Sequence, residues 1–182
     1  MKQKAVFVDR DGTLVEEVNF LSRTEDLRFF SFTDEAVKIL KQNGFLVVVI
    51  TNQSGIGRGI FTEAAMHEIH AAIQTKLTTK IDAFYFCPHL PDAACDCRKP
   101  KTAMIRRAAA DFEIDFENSW FVGDKAIDVE TGRNAKLKTA LVLTGYGKQA
   151  AGELKNQADL TAENLLEAAE KIVNHKSVNR ES

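Results

Sequence analysis

Short apolar runs recur along the chain at residues 4–9, 45–50, 81–86, 120–122 and 139–143. They are unbroken rather than alternating, and too short and too β-branched for helices. Each therefore reads as a strand covered on both faces. Between them the apolar positions shift to helical spacing. Ala36, Val37 and Leu40 follow Thr33, which is expected to cap a helix that Gly44 stops. Thr62 opens a second helix, with Met66, Ile69, Ile73 and Leu77 on one face. Residues 103–112 and 126–135 read as further helices, and 161–173 as a closing amphipathic one. Residues 52–59 and 88–100 read as loops. Gly145 and Gly147 end the last clear strand, and the polar tail from Asn174 is expected to be disordered.

Strands alternating with helices predict an α/β fold: one Rossmann-like, three-layer domain over residues 1–173 with a parallel sheet. A chain of 182 residues with 45% hydrophobic content suits one such core. Roughly twenty residues separate Asp11 from Thr33, which leaves no room for a large cap domain. A formal net charge of −2 provides no broad positive field, so neither nucleic acid nor an anionic membrane is expected as a partner. The apolar start is too short for a signal peptide, and no run reaches the ~20 residues that span a bilayer. A cytoplasmic location is expected. So is a monomer, because no long exposed apolar stripe is evident.

In parallel sheets, ligands bind outside the carboxyl ends of the strands. Asp9 and Asp11 follow the first run, Thr51 the second and Asp124 the 120–122 run. Alone, Asp11-Gly12 would make only a turn, and Arg98-Lys99 only a solvated surface pair. Their convergence on one sheet edge argues for chemistry. A hydroxyl and the free N–H groups of Thr51–Gly57 can cradle phosphate oxygens. Lys99 can neutralise a phosphoryl group in transfer, and Asp124 offers a hard oxygen for magnesium. Asp128 falls in a helix's first turn, where a negative charge is favourable for its own sake.

Asp9-x-Asp11-Gly12-Thr13-Leu14, Thr51, Lys99 and Gly123-Asp124-x3-Asp128, in this order, resemble the haloacid dehalogenase superfamily over about residues 5–147. The resemblance implies a phosphatase, since relatives that remove halides lack the second aspartate. It implies that Asp9 is the nucleophile forming an aspartyl-phosphate and that Asp11 is the general acid and base. Mg²⁺ would be held by Asp9, Asp124 and the backbone carbonyl of Asp11, while Thr51 and Lys99 hold the phosphoryl oxygens.

All three cysteines lie between positions 87 and 97, as Cys87-x-His89-x5-Cys95-x-Cys97. Three thiolates and one imidazole complete a tetrahedral set, so a structural Zn²⁺ with no open position is expected just before Arg98-Lys99. The insertion narrows the resemblance to two families, the heptose-1,7-bisphosphate 7-phosphatases and the histidinol-phosphate phosphatases. Thr51–Gly59 is similar to the first and the short cysteine loop to the second; a heptose bisphosphate is placed ahead, because loop length varies easily. The residues expected to contact a small phosphorylated substrate are Glu17, Asn19, Phe20, Thr51, Asn52, Gln53, Ser54, Arg98, Lys99 and Lys125. A reading of another class is a signalling receiver domain, which also phosphorylates an aspartate near magnesium, a threonine and a lysine.

Overall fold

The computed structural model describes residues 2–175. Six strands form one parallel sheet: β1 (Ala5–Val8), β2 (Leu46–Asn52), β3 (Ala83–Cys87), β4 (Trp120–Gly123), β5 (Lys138–Val142) and β6 (Leu160–Ala162). Their order is β3-β2-β1-β4-β5-β6, with Val8 in register with both Val49 and Val122. The strands are added first to one side of β1 and then, from β4 on, to the other, so the carboxyl ends of β1 and β4 open a crevice there.

The unbroken apolar runs make sense because both faces are covered. Val6, Val8, Val47, Val49, Trp120 and Val122 join one core with residues of α1 (Thr33–Gln42), α3 (Glu63–Lys76) and α7 (Leu165–Val173). On the opposite face Phe7, Val48 and Ile50 pack with Met104, Ile105 and Ala108 of α4 (Ala103–Phe112). Val129 of α5 (Ala126–Asn134) and Ala150 and Leu154 of α6 (Gly147–Leu154) pack with Leu141 of β5. The sandwich is the expected three-layer domain.

Several local expectations are corrected. Thr33 does not cap α1: Phe32 occupies that position, and the buried Thr33 hydroxyl donates to the Leu14 carbonyl at 2.8 Å. Thr62 does cap α3, accepting from Ala65 N at 3.1 Å. The loop after β2 contains a helical turn, α2 (Ser54–Gly57). The segment expected as one helix from residue 161 begins as β6, and α7 starts only at Leu165 behind the Asn164 cap. Asn174 ends α7, and the His175 ring meets Trp120 at 5.0 Å, so those two residues are ordered. The rest of the expected tail lies outside the described residues. Among the described residues no helix is long and apolar enough to cross a membrane.

Candidate active site

The carboxyl ends of β1, β2 and β4 deliver Asp9, Thr51 and Asp124, and the 88–101 loop brings Arg98 and Lys99 over them. Asp9, Asp11, Thr51, Asn52, Arg98, Lys99, Lys125 and Ile127 line a cavity of about 230 Å³ there. Asp9 is 3% exposed, Lys99 3%, Asp124 and Asp128 0%. Burial of so many charges is tolerable only because they face one another.

Lys99 Nζ lies 2.9 Å from Asp9 Oδ1 and 2.6 Å from Asp128 Oδ1, and it donates to the Ile50 carbonyl at 3.1 Å. Lys125 Nζ reaches Glu17 at 3.1 Å and Asp9 Oδ2 at 3.9 Å. Burial pushes the Asp9 carboxyl up, but Lys99 and Lys125 outweigh it and hold the group below its usual range. Asp9 is thus kept ionised. Burial and then Asp9 push Asp124 up to about 7, and the same causes push Asp128 up to about 6. Burial likewise raises Glu17.

The carboxylates of Asp9, Asp124 and Asp128 all lie within 4.8 Å of one another. Asp128 is already committed: one oxygen meets Lys99 and the other accepts Lys125 N at 3.1 Å. Asp9 and Asp124 are the better pair for a cation. Asp124 is fixed by Tyr146 N at 2.8 Å and approached by the Thr13 hydroxyl at 3.3 Å. The backbone crowds against it. A Cβ on Gly12 or on Gly145 would lie 2.2 Å from Asp124 Oδ2, and both glycines have positive φ, +88° and +51°. Hard, partly repelling oxygens inside a close backbone cradle suit a divalent cation.

The Asp11 carboxylate stands outside that group. Arg10 grips both its oxygens, Nε to Oδ1 at 3.0 Å and Nη2 to Oδ2 at 2.8 Å, and Gln53 Nε2 donates to Oδ2 at 2.8 Å. Gln53 also donates to Thr51 Oγ1 at 2.8 Å, so its amide is turned to neighbouring side chains and does not line the cavity. Asn52 lines the cavity and accepts Lys99 N at 3.0 Å, tying the lysine loop to β2. Ser54 begins α2 away from the cavity lining. Asn19 and Phe20 are exposed on the turn beyond Glu17, Phe20 with φ of 54° and the Arg58 guanidinium 5.9 Å above its ring.

Below, Cys87 ends β3, and the loop folds His89, Cys95 and Cys97 back onto it. Their donor atoms lie within 4.8 Å of one another, with His89 Nδ1 3.2 Å from Cys97 Sγ and 3.5 Å from Cys87 Sγ. All three cysteines are free thiols. Arg98 Nη1 donates to the His89 carbonyl at 3.1 Å, so the cluster and the cavity share a loop.

Sequence reasoning missed Arg10 and the glycine cradle. A signal for Arg10 existed. Val6 and Val8 lie on the sheet face covered by α1, α3 and α7, and period-two alternation carries Arg10 to the same side, where a charge needs a partner. The cradle carried no local signal, because Gly12 and Gly145 meet at Asp124 only in the fold.

The fold and the site define a hydrolase that handles phosphate with a carboxylate–cation cluster. The family model described as HAD-hydrolase-like matches residues 96–168. A D-glycero-beta-D-manno-heptose-1,7-bisphosphate 7-phosphatase of Haemophilus ducreyi is 39% identical over 178 residues, covering 92% of this chain and 97% of the relative. A D-glycero-D-manno-heptose-1,7-bisphosphate 7-phosphatase of Chlorobaculum tepidum is 39% identical over 166 residues, covering 82% and 83%. The crystal structure of a D,D-heptose 1,7-bisphosphate phosphatase from B. bronchiseptica, complexed with magnesium and phosphate, matches with a TM-score of 0.88 at 30% identity, covering 94% of this chain and 98% of that one. The chain belongs to the haloacid dehalogenase-like hydrolases, and within them it is a phosphatase.

Proposed function

We propose that this phosphatase removes the 7-phosphate of D-glycero-D-manno-heptose 1,7-bisphosphate through an aspartyl-phosphate on Asp9. The observation that carries the chemistry is the buried Asp9 carboxylate held ionised 2.9 Å from Lys99, at the floor of the cavity. The names of the relatives supply the substrate.

Asp9 attacks phosphorus. Its Oδ–P bond forms as the ester P–O bond breaks, and the electron pair leaves with the sugar oxygen, which takes a proton from Asp11. Asp11 then removes a proton from the water that hydrolyses the acyl phosphate. Thr51 and Lys99 hold the phosphoryl oxygens, and Lys125 keeps positive charge beside Asp9. Mg²⁺ on Asp9, Asp124 and the Asp11 carbonyl would offset the carboxylates' repulsion of the incoming phosphate. Arg98, with Glu17, Asn19 and Phe20 as an outer wall, would serve the remainder of the substrate. Cys87, His89, Cys95 and Cys97 fit a structural Zn²⁺ by donor type and spacing, and three clustered cysteines kept for metal rather than disulfides suit a cytoplasmic location.

The test is a comparison of heptose 1,7-bisphosphate, as each anomer, with histidinol phosphate, alongside Asp9→Asn. The reading expects the bisphosphate to have the higher kcat/KM and Asp9→Asn to lose at least about 10³-fold in kcat with its melting transition intact. Faster turnover of histidinol phosphate would overturn the substrate. Near-native activity of Asp9→Asn, with deamidation excluded by mass spectrometry, would overturn the nucleophile.

A further inference from the structure

Arg10 is 0% exposed, yet it carries a charge that the reaction has not so far used. It stands between the two catalytic aspartates in sequence. Its backbone N–H donates to Asp9 Oδ1 at 2.8 Å, and its guanidinium turns the other way, to Asp11. A buried guanidinium must fill its donors. Nε and one N–H of Nη2 donate to the two oxygens of Asp11. Nη1 meets His70 Nε2 at 3.4 Å, under the α3 side of the sheet. Since a guanidinium can only donate, His70 accepts there and is neutral. Burial and then the Arg10 charge hold His70 down at about 3, in agreement. The imidazole is itself stacked on Phe84 at 4.5 Å, which fixes its plane. Asp11 is Arg10's one carboxylate partner among the described residues.

These contacts have a consequence for Asp11. An ionised carboxylate has about four lone-pair sites. On Oδ2 both are taken, by Arg10 Nη2 and Gln53 Nε2. On Oδ1 one is taken, by Arg10 Nε. One site remains, on Oδ1.

We propose that Arg10, seated on neutral His70 and assisted by Gln53, is the positioning residue that orients the general acid–base and makes Asp11 Oδ1 the atom that carries the proton. The proposal rests on the reading of Asp11 as general acid and base. In the first half-reaction the proton on Oδ1 moves to the leaving oxygen as the ester P–O bond breaks. In the second, the same lone pair accepts a proton from water. The planar fork holds the carboxylate against rotation, which a point charge cannot do.

The readout is dependence on the leaving group. The ratio kcat/KM reports the step in which the alcohol departs. An alkyl phosphate needs its leaving oxygen protonated, whereas p-nitrophenyl phosphate releases a stable phenolate. Arg10→Lys and Arg10→Gln are compared with Asp11→Asn, on p-nitrophenyl phosphate and on the alkyl phosphate that the wild type turns over fastest. Thermal melting accompanies each variant. The expected result is a loss of about 10²-fold in kcat/KM on the alkyl ester, only a few-fold on p-nitrophenyl phosphate, and little change in KM for either. Asp11→Asn should discriminate at least as strongly. Equal losses on the two esters, or wild-type rates on both, in a cooperatively melting Arg10 variant would overturn the positioning role while leaving Asp11 in place. Absence of discrimination in Asp11→Asn would remove the general acid itself, and Arg10's role with it. Should neither Arg10 variant fold, Gln53→Leu frees one Oδ2 site and must show the same discrimination in weaker form, or the proposal fails.

Discussion

Lys99 Nζ lies 2.6 Å from Asp128 Oδ1, and their side chains are only 2% and 0% exposed. The same ammonium touches Asp9 at 2.9 Å, so one buried cation balances two buried carboxylates. Burial lowers the Lys99 pKa, but Asp128 and then Asp9 outweigh it and keep the amine charged. Asp128 therefore does more than favour a helix start. It holds Lys99 in place, while its second oxygen closes the first turn of α5 on Lys125 N.

Breaking that pair is expected to be expensive. Asp128→Ala should lower stability by about 3–5 kcal/mol in urea unfolding, because the Lys99 charge stays buried with one partner fewer. The double variant Asp128→Ala/Lys99→Met should lose less than the sum of its single changes. Additive losses would show that the two groups act independently.

The cysteine loop should hold about one zinc per chain. Burial pushes the Cys87 thiol up to about 12, so a cation is needed to bring it into thiolate form near neutrality. Cys97→Ser, or strong chelation, should lower the melting temperature and weaken substrate binding through Arg98. A protein free of zinc after growth in zinc-containing medium, with an unchanged melting point, would contradict this.

Asp124 makes the metal-free protein sensitive to pH. Burial and the neighbouring Asp9 raise its pKa from the ordinary 3.8 to about 7, so the folded state binds the proton more tightly. Its contribution to stability is then greatest at low pH and falls as pH rises from about 4 to about 7. In chelator, Asp124→Asn should gain stability relative to the parent across that interval. Magnesium should restore the parent at pH 8, since the cation takes the place of the proton. A constant difference between the two proteins from pH 4 to 8 would exclude this account.

Arg98 lines the cavity from the loop that carries the cysteines, and its guanidinium donates to the His89 carbonyl. A guanidinium there suits a second, distal phosphate. Arg98→Ala should raise KM for a sugar bisphosphate at least about tenfold while sparing p-nitrophenyl phosphate. Loss of Lys99 should instead depress kcat on both. Equal effects of Arg98→Ala on the two substrates would place it at the reacting phosphate or in loop structure.

Five of the six strands were readable in the sequence, and with them the positions of Asp9, Thr51 and Asp124 at strand ends and of Lys99 on the loop after β3. The reason is local. A strand buried on both faces must be apolar throughout, so the runs ending at Asp9, Thr51 and Asp124 announce themselves, and the first polar residue after each lands on the sheet's carboxyl edge. The four metal-type ligands are similarly confined to one short segment. β6 was not readable, because three residues with a half-buried, exposed, buried pattern carry no period. Nor was α6, where Gly147 suggested only a break.

What tertiary structure alone decided is which charge meets which. Asp128 and Lys99 are 29 residues apart, Gln53 and Asp11 42, and Thr13 and Asp124 111. Each pairing depends on the order in which parallel strands are laid beside β1, which no local period encodes. The fold thereby set the Gln53 amide, expected to contact substrate, within hydrogen-bond distance of Asp11 and Thr51. It also turned Arg10 from a spacer between two aspartates into a buried cation. A charge excluded from water must find its partner wherever packing puts one, and here packing put Asp11 beside Arg10 and His70 beneath it.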